Sequence, residues 1–483
     1  MSRRFLAIFL LFIFPVFSFP QIISYSDPIK GDPRTDFQII GKVGGNIIIF
    51  KNVKDDYNIT VYDNEMKLKE TVPLDFLPDK TFNVNYIAYQ NFFYLIYQYQ
   101  KKRIVYCSAV KVDEDAKVIG QPINIDTTDI GNHVNKIYAV VNSEDKQKIM
   151  IAKTLQQNDA LSITTMLFDN TLQLIKKAHQ DFSYNDDRTI FNNLFVDNDG
   201  DLFFNIATKN YGKDYYYKLD IVTKPALADS FSINNIDLKE KYITDIYVKV
   251  DNINKHAILN AFFYTEKRGN VQGIYANVWD KQTNSPQSNV FISFGDSVRQ
   301  ALKREGRMKE ALNNFQIKNV TVKKDGGYIL MAEDYTAQQS GGTINNNPYY
   351  FNPFFNPYGF NTPSVTTYYC QNIFIVSIDK NGMPEWNNVI AKDQYHDNDD
   401  NPLSFFTFNT GGEIHLFFNE TIKRTEYLSD ISVKANGDIN KNAEIMPTKG
   451  YGFLPKFGKQ VGAKQFILPC VRNNAICFAK IDY

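Results

Sequence analysis

Net charge is the first thing the chain lacks: Lys+Arg and Asp+Glu both number 53 among 483 residues. That balance argues against a nucleic-acid binder, which needs a basic footprint to exchange for counterions. It also leaves no acidic tail and no polybasic membrane arm. Histidine is sparse: His133, His179, His256, His396 and His415 never fall within four residues of one another. With no HExxH and no paired Cys/His spacing, a zinc site has no support. G-x-S-x-G, G-x-x-x-x-G-K-[ST] and G-x-G-x-x-G are absent, so no nucleophile elbow, P-loop or dinucleotide fingerprint points to an enzyme. Beyond the first twenty residues no run approaches 18 apolar side chains, so no transmembrane helix is expected. There are only two Trp and four Cys, against 38 Phe and 30 Tyr. Those aromatics suit pleated, half-buried surfaces and lean the reading toward β.

The first residues read as an address. Arg3 and Arg4 precede the apolar run Phe5 to Phe14, and Val16 and Ser18 carry the side chains expected at a cleavage site. Residues 1–18 are therefore expected to be a signal peptide. No Cys lies nearby, so a lipoprotein is not expected, and export places the chain in a periplasm or outside the cell.

A repeat organises the rest. An apolar strand ending in apolar-Asp recurs at Asp63, Asp113, Asp169, Asp220, Asp280, Asp379 and Asp482, with a variant at Lys434. The period is about 50 residues, the size of one propeller unit. A second series of turns interleaves with it, at Gly44, Asn91, Asp145, Gly200, Asn254, Gly326, Gly411 and Gly462. Gly, Asn and Asp tolerate the positive φ of tight hairpins, so each unit holds two hairpins and four strands. Four strands repeated about an axis make a β-propeller. The expected fold for 19–483 is thus a single all-β domain, an eight-bladed propeller with seven blades as the alternative. The last unit stops at Asp482-Tyr483 one strand short, and 21–29 is expected to supply that strand and remove an open edge.

Only the gap between Asp280 and Asp379 is long. It contains two insertions. In 296–314, Val298, Ala301, Leu302, Met308, Ala311 and Leu312 recur at helical spacing, with Asp296 or Ser297 as cap and Gly306 expected to kink the helix or split it in two. In 336–369, Pro348, Pro353, Pro357 and Pro363 exclude a regular element. The aromatics Tyr349, Tyr350, Phe351, Phe354, Phe355, Tyr358 and Phe360 nevertheless crowd this segment, so it is expected either to fold back onto the propeller or to cover a partner, as exposed aromatic patches do.

Three further groups stand out. Asp197, Asp199 and Asp201 alternate around Gly200 like the start of a calcium-ligand ladder. The twelfth position is Thr208, not Glu, and Asp-Gly there also suits a hairpin turn. Asp397, Asp399 and Asp400, with Asp393 and His396, form a second oxygen-rich run. Calcium is the one cofactor either cluster suggests. Cys470 and Cys477 flank Asn473-Asn474, and a two-residue turn there sets them opposite each other as a candidate disulfide. Cys107 and Cys370 read as buried free thiols.

Ser377 to Trp386, SIDKNGMPEW, resembles two propeller signatures. These are the Asp-box of sialidase-like propellers and the docking turn of PQQ-type propellers, both of which stabilise blades. Taken whole, the chain resembles the uncharacterised secreted propellers of Bacteroidetes-type bacteria. The expectation is a non-enzymatic protein-binding scaffold of the cell envelope or exterior, in an outer-membrane-associated assembly. The alternative is a carbohydrate-binding or glycoside-hydrolysing propeller with a glycan as partner.

Overall fold

The computed structural model describes residues 21–28, 36–53, 56–78, 80–130, 137–157, 160–183, 188–209, 212, 214–267, 269–303, 308–340, 365–422 and 425–483. The expected signal peptide and all seven named aromatics of the second insertion lie outside them.

Strands follow one another in antiparallel four-stranded sheets: 36–73, 81–129, 138–183, 189–236, 242–293, 315–397 and 406–441. The fourth and fifth are joined by the single pairing Tyr216–Ile243. The last sheet, 451–482, takes its outermost strand from the other end of the chain. Ile22–Tyr25 pairs antiparallel with Ala475–Asp482, in the register Ile22↔Asp482 to Tyr25↔Ala479. Ser26 locks this seam, its N–H donating to Phe478 O at 2.8 Å and its Oγ accepting from Phe478 N at 3.0 Å.

The second and third strands of each sheet are covered on both faces, which is why runs such as NIIIF are apolar at every position rather than alternately. In the first sheet Ile47, Ile48 and Ile49 are all fully buried. Ile48 and Val61 pack on Leu95 and Val112 of the second sheet, whose Ile96 and Ala109 pack on Ile149 and Met166 of the third. The series continues pairwise to Phe408 and Phe417 against Phe466 and Ala479. It then returns on itself, with Ile467 and Phe478 of the last sheet on Ile47 and Tyr62 of the first.

The recurring Asp makes its turn by hydrogen bonding. Asp63 Oδ1 accepts from the N–H groups of Glu65 and Lys67, and Asp113, Asp169 and Asp379 each do the same two and four residues on. The carboxylate satisfies two turn donors and holds the third residue after it at positive φ. That residue is Met66 (62°), Ala116 (63°), Leu172 (62°) or Gly382 (82°), so glycine is not required. Asp220 departs from the pattern: it lies inside the strand Tyr216–Lys224 and accepts from Asn235 Nδ2 at 2.9 Å.

The last sheet has a broken first strand, Tyr451–Phe453 then Lys459–Gly462, with a 3-10 turn at Pro455–Phe457 between. The cause is Pro469 in the neighbouring strand. Its carbonyl accepts from Leu454 N at 2.9 Å, but it has no N–H to return.

Both insertions are shorter than their composition suggests. The α-helix is Asp296–Leu302, and a 3-10 turn follows at Met308–Glu310. Its N-cap is Gly295, without a side-chain cap, so neither Asp296 nor Ser297 fills that role. The flanks of the aromatic segment are strand, running to Ser340 and resuming at Val365, with Thr336↔Tyr369 and Ser340↔Val365 in register.

Candidate functional site

In an antiparallel four-stranded meander, the turn between strands two and three leaves from the same end as the connection to the next sheet. The tight Gly and Asp turns therefore gather at one end, and both insertions at the other.

At the insertion end the 296–314 segment is a packed clip. Leu302 and Leu312 are fully buried between the fifth and sixth sheets, with Val298 and Ala311 against the same core. Arg299 pins it: Nε donates to Phe294 O at 3.1 Å, Nη1 to Lys309 O at 3.2 Å, and Nη2 to Val271 O and Gln272 O at 3.0 and 2.9 Å. Four backbone carbonyls thus receive one guanidinium. A cavity of about 410 Å³ lies between this clip and the stem, the paired strand ends that flank the aromatic segment, and is lined by Leu302, Ala311, Asn314, Thr336, Gln338 and Tyr369 among others. The two insertions meet there.

Beside the stem, the sixth, seventh and last sheets enclose a cleft of about 780 Å³. Asp393, Tyr395, His396, Asp399, Thr421, Glu426 and Asn474 wall it, and Gln394, Leu403, Asn419, Phe453 and Leu454 floor it. A buried polar network fixes the floor. Lys392 and Glu333, both fully buried, pair at 2.8 Å, and Lys392 also donates to Cys370 O at 2.9 Å and Gln394 Oε1 at 2.7 Å. Ser404 Oγ donates to Glu333 Oε2 at 2.6 Å. Gln394 Nε2 donates to Asn419 O at 2.9 Å, and Asn419 Nδ2 to Pro402 O and Phe453 O at 2.9 and 2.8 Å. A buried ion pair survives only when its remaining valences are met, and here they are met by groups that shape the cleft.

The oxygen-rich run 393–401 enters this wall with its carboxylates apart. Asp397 accepts from Thr367 Oγ1 at 2.6 Å, Asp399 lies 3.5 Å from His396 Nδ1, and Asp400 pairs with Lys456.

The other acidic cluster sits at the opposite end. Oxygens of Asp197, Asp199 and Asp201 do converge within 4.8 Å of one another. The cation among them is the ammonium of Lys281, from the fifth sheet, which pairs with Asp197, with Asp199 at 2.6 Å and with Asp201 at 2.7 Å. Lys255 adds a bond to Asp199 at 2.7 Å. These lysines hold the Asp199 carboxyl down at about 2. Asp197 Oδ1 also accepts from the N–H groups of Asp199 and Asp201, as a hairpin turn requires. The cluster ties the fourth sheet to the fifth.

Cys470 and Cys477 are direct cross-strand partners, with Asn473 and Asn474 both at positive φ in the turn. Both are buried, and their Sγ atoms lie 2.7 Å apart. Burial pushes the Cys470 thiol well up. Cys107 and Cys370 are buried thiols, pushed up to about 12 by desolvation.

Several working residues carry no motif. Asn83, Asn193 and Asp245 take positive φ at bulges in first strands. Each reaches the next sheet's backbone: Asn83 to Tyr138 O, Asn193 to Ile246 O, and Asp245 from Ile317 N. For Asn193 and Asp245 the available signal was the apolar-aromatic pair that follows, Leu194-Phe195 and Ile246-Tyr247. Trp386 was legible as part of SIDKNGMPEW; its Nε1 donates to Ala435 O at 3.0 Å and its ring covers Gly437 of the next sheet.

No family model and no curated protein matches the chain. Solved structures resemble it distantly. A polysaccharide lyase, Uly1, aligns at TM-score 0.39 and 12% identity over 82% of this chain and 89% of its own. The Nup133 β-propeller domain of Vanderwaltozyma polyspora aligns at TM-score 0.37 and 11% identity over 83% of this chain and 100% of its own. A prolyl endopeptidase aligns at TM-score 0.41 and 11% identity over 93% of this chain but 55% of its own length. Among the described residues no helix is long and apolar enough to cross a membrane.

Proposed function

We propose that the chain is an eight-bladed β-propeller closed by its N-terminal strand, and that it serves as a non-enzymatic protein-binding scaffold. The count is supported by eight apolar interfaces, the last of which joins the final sheet to the first. The observation that carries the binding role is the meeting of clip and stem at one cavity, on the end where the sheets present their irregular connections. A rigid ring with two insertions converging on one face is built to display a surface, and function on such folds lives in the displayed segments. The aromatic segment 336–369 is the recognition element, with 296–314 beside it. The leader-like first residues support export, and the resemblance to secreted bacterial propellers supports the cell envelope or exterior, in an outer-membrane-associated assembly.

The test is affinity purification of the tagged full chain from its source cells, beside a variant lacking 341–364. A defined protein partner that co-purifies with the first and is lost from the second is expected. Retention of that partner by the deletion variant overturns the role of the segment. Release of sugar ends from a polysaccharide panel would replace the scaffold with the carbohydrate-active alternative.

A further inference from the structure

The strand that closes the ring also covers a cysteine pair. Across the last sheet the strands run Ile22–Tyr25, Ala475–Asp482, Gln465–Arg472, Tyr451–Phe453. Cys470 stands opposite Cys477. Tyr25 stands opposite Ala479, two residues to one side of that pair, and Tyr451 opposite Arg472, two residues to the other. Residues two apart share a face, and Tyr25, Tyr451, Cys470 and Cys477 all pack in the core between this sheet and the seventh. Adjacent strands lie about 4.8 Å apart, so the two flanking strands are separated by roughly 14 Å. The Tyr25 and Tyr451 rings nevertheless meet with centroids 4.2 Å apart, and Tyr25 stacks on Phe453 at 6.4 Å. Rings that start from those positions meet above the strands between them, at the level of Cys470 and Cys477. Hydrogen bonds fix them there: Thr448 N–H donates to the Tyr25 hydroxyl at 3.1 Å, and Arg472 Nη1 to the Tyr451 hydroxyl at 3.0 Å. Both cysteines beneath are fully buried. Thiol–disulfide exchange needs a thiolate and a line of approach for another sulfur. Burial pushes the Cys470 thiol well up, so the closed ring supplies neither.

We propose that the last sheet is a redox latch: Cys470 and Cys477 exchange with an external disulfide only while the closing strand is undocked, and the disulfide they form holds that strand on. The bond ties Gln465–Arg472 to Ala475–Asp482, so the edge that receives Ile22–Tyr25 stays formed when the sheet loosens. Docking then lays Tyr25 over the bond and shields it from reductant. Linkage makes the two effects equal: the factor that oxidation adds to strand docking is the factor that docking adds to disulfide stability. The oxidant is a small disulfide such as oxidised glutathione. One cysteine thiolate attacks it, forming a mixed disulfide and releasing one glutathione. The other thiolate attacks that mixed disulfide, forming the Cys470–Cys477 bond and releasing the second. Two electrons and two protons pass from the protein to two glutathione thiols.

The experiment alkylates the reduced full chain with iodoacetamide under native conditions and reads each cysteine separately by peptide mass. Tyr25→Ala should speed alkylation of Cys470 and Cys477 by about tenfold or more. Cys107 and Cys370, buried in other sheets, should keep their rates in the same sample. Tyr25→Phe, which keeps the ring, should stay close to the wild type. A second measurement needs no variant: hydrogen exchange of residues 22–26 in reduced protein and in protein oxidised with glutathione disulfide. Oxidation should slow that exchange by about fivefold or more. Unchanged alkylation in Tyr25→Ala, equal acceleration of all four cysteines, or exchange at 22–26 that ignores the redox state overturns the latch. Free thiols at 470 and 477 after glutathione disulfide treatment of Tyr25→Ala overturn it as well.

Discussion

Lys51 is predicted to destabilise the fold at neutral pH, and Lys51→Met to make it stronger. The residue sits in the second strand of the first sheet, at the seam with the last, and is 5% exposed. Its Nζ lies 5.6 Å from the Tyr62 ring centroid and 5.8 Å from that of Phe478, with a long bond of 3.4 Å to the Tyr62 hydroxyl. Desolvation, with no carboxylate to offset it, lowers its pKa from 10.5 to about 7. At roughly 1.4 kcal/mol per unit, that gap amounts to about 4 kcal/mol near pH 7. The sign follows from proton counting. Between the folded and unfolded values the unfolded chain binds more protons, so stability rises with pH across about 7 to 10.5 and is flat below that window. Methionine fills similar volume and makes favourable contacts with both rings. Denaturant unfolding at pH 7 should show a gain of about 2–4 kcal/mol for Lys51→Met. The gain should shrink steadily toward pH 10. Using the difference between the two proteins cancels Lys459, whose pKa burial lowers to about 8. A variant no more stable than the wild type at pH 7, or a gain independent of pH, would refute the reasoning.

Other residues give equally direct tests. Lys281→Met leaves Asp197, Asp199 and Asp201 facing one another without their shared ammonium. It should cost about 2–4 kcal/mol at pH 7, read by thermal melting. Because Asp199 is held near 2 in the folded chain, wild-type stability from this group is lost as pH falls from about 4 to 2, so the gap between the two proteins should narrow there. Gly437 has φ +92°, and an added Cβ would lie 2.8 Å from the Trp386 ring. Gly437→Ala should therefore lower stability by about 1–3 kcal/mol, and a neutral result would mean the tryptophan does not dock there. Cys470 and Cys477, opposite and buried, should lose two hydrogens to form a disulfide when the chain folds in an oxidising compartment. Intact mass before and after reduction in denaturant decides this, and free thiols in both samples would defeat it.

Much of the fold was readable because its determinants are local. The apolar-Asp turns could be found in sequence because one carboxylate closes a turn within four residues. The missing final strand could be assigned to the first residues because a sheet edge demands a partner, and Ile22–Tyr25 takes that place. The cysteine register followed from the two-residue turn alone. The helical spacing of 296–314 is carried by two short pieces, Asp296–Leu302 and Met308–Glu310, that share one core. Asp220 misled because the same dipeptide can end a strand or sit within one.

Sequence by itself determined the periodicity, the four-strand units, the closing strand and the places where insertions interrupt them, since turns and hydrophobic patterns act over a few residues. Only the tertiary structure decided what the acidic residues do. Lys281 reaches Asp197 across 84 positions and sets its ammonium among the same three carboxylates that alternate in the sequence. The cleft drew its walls from three sheets and its floor from a network running from Glu333 to Phe453. Charge and cavity are sums over groups that meet in space, and no spacing along the chain encodes that sum.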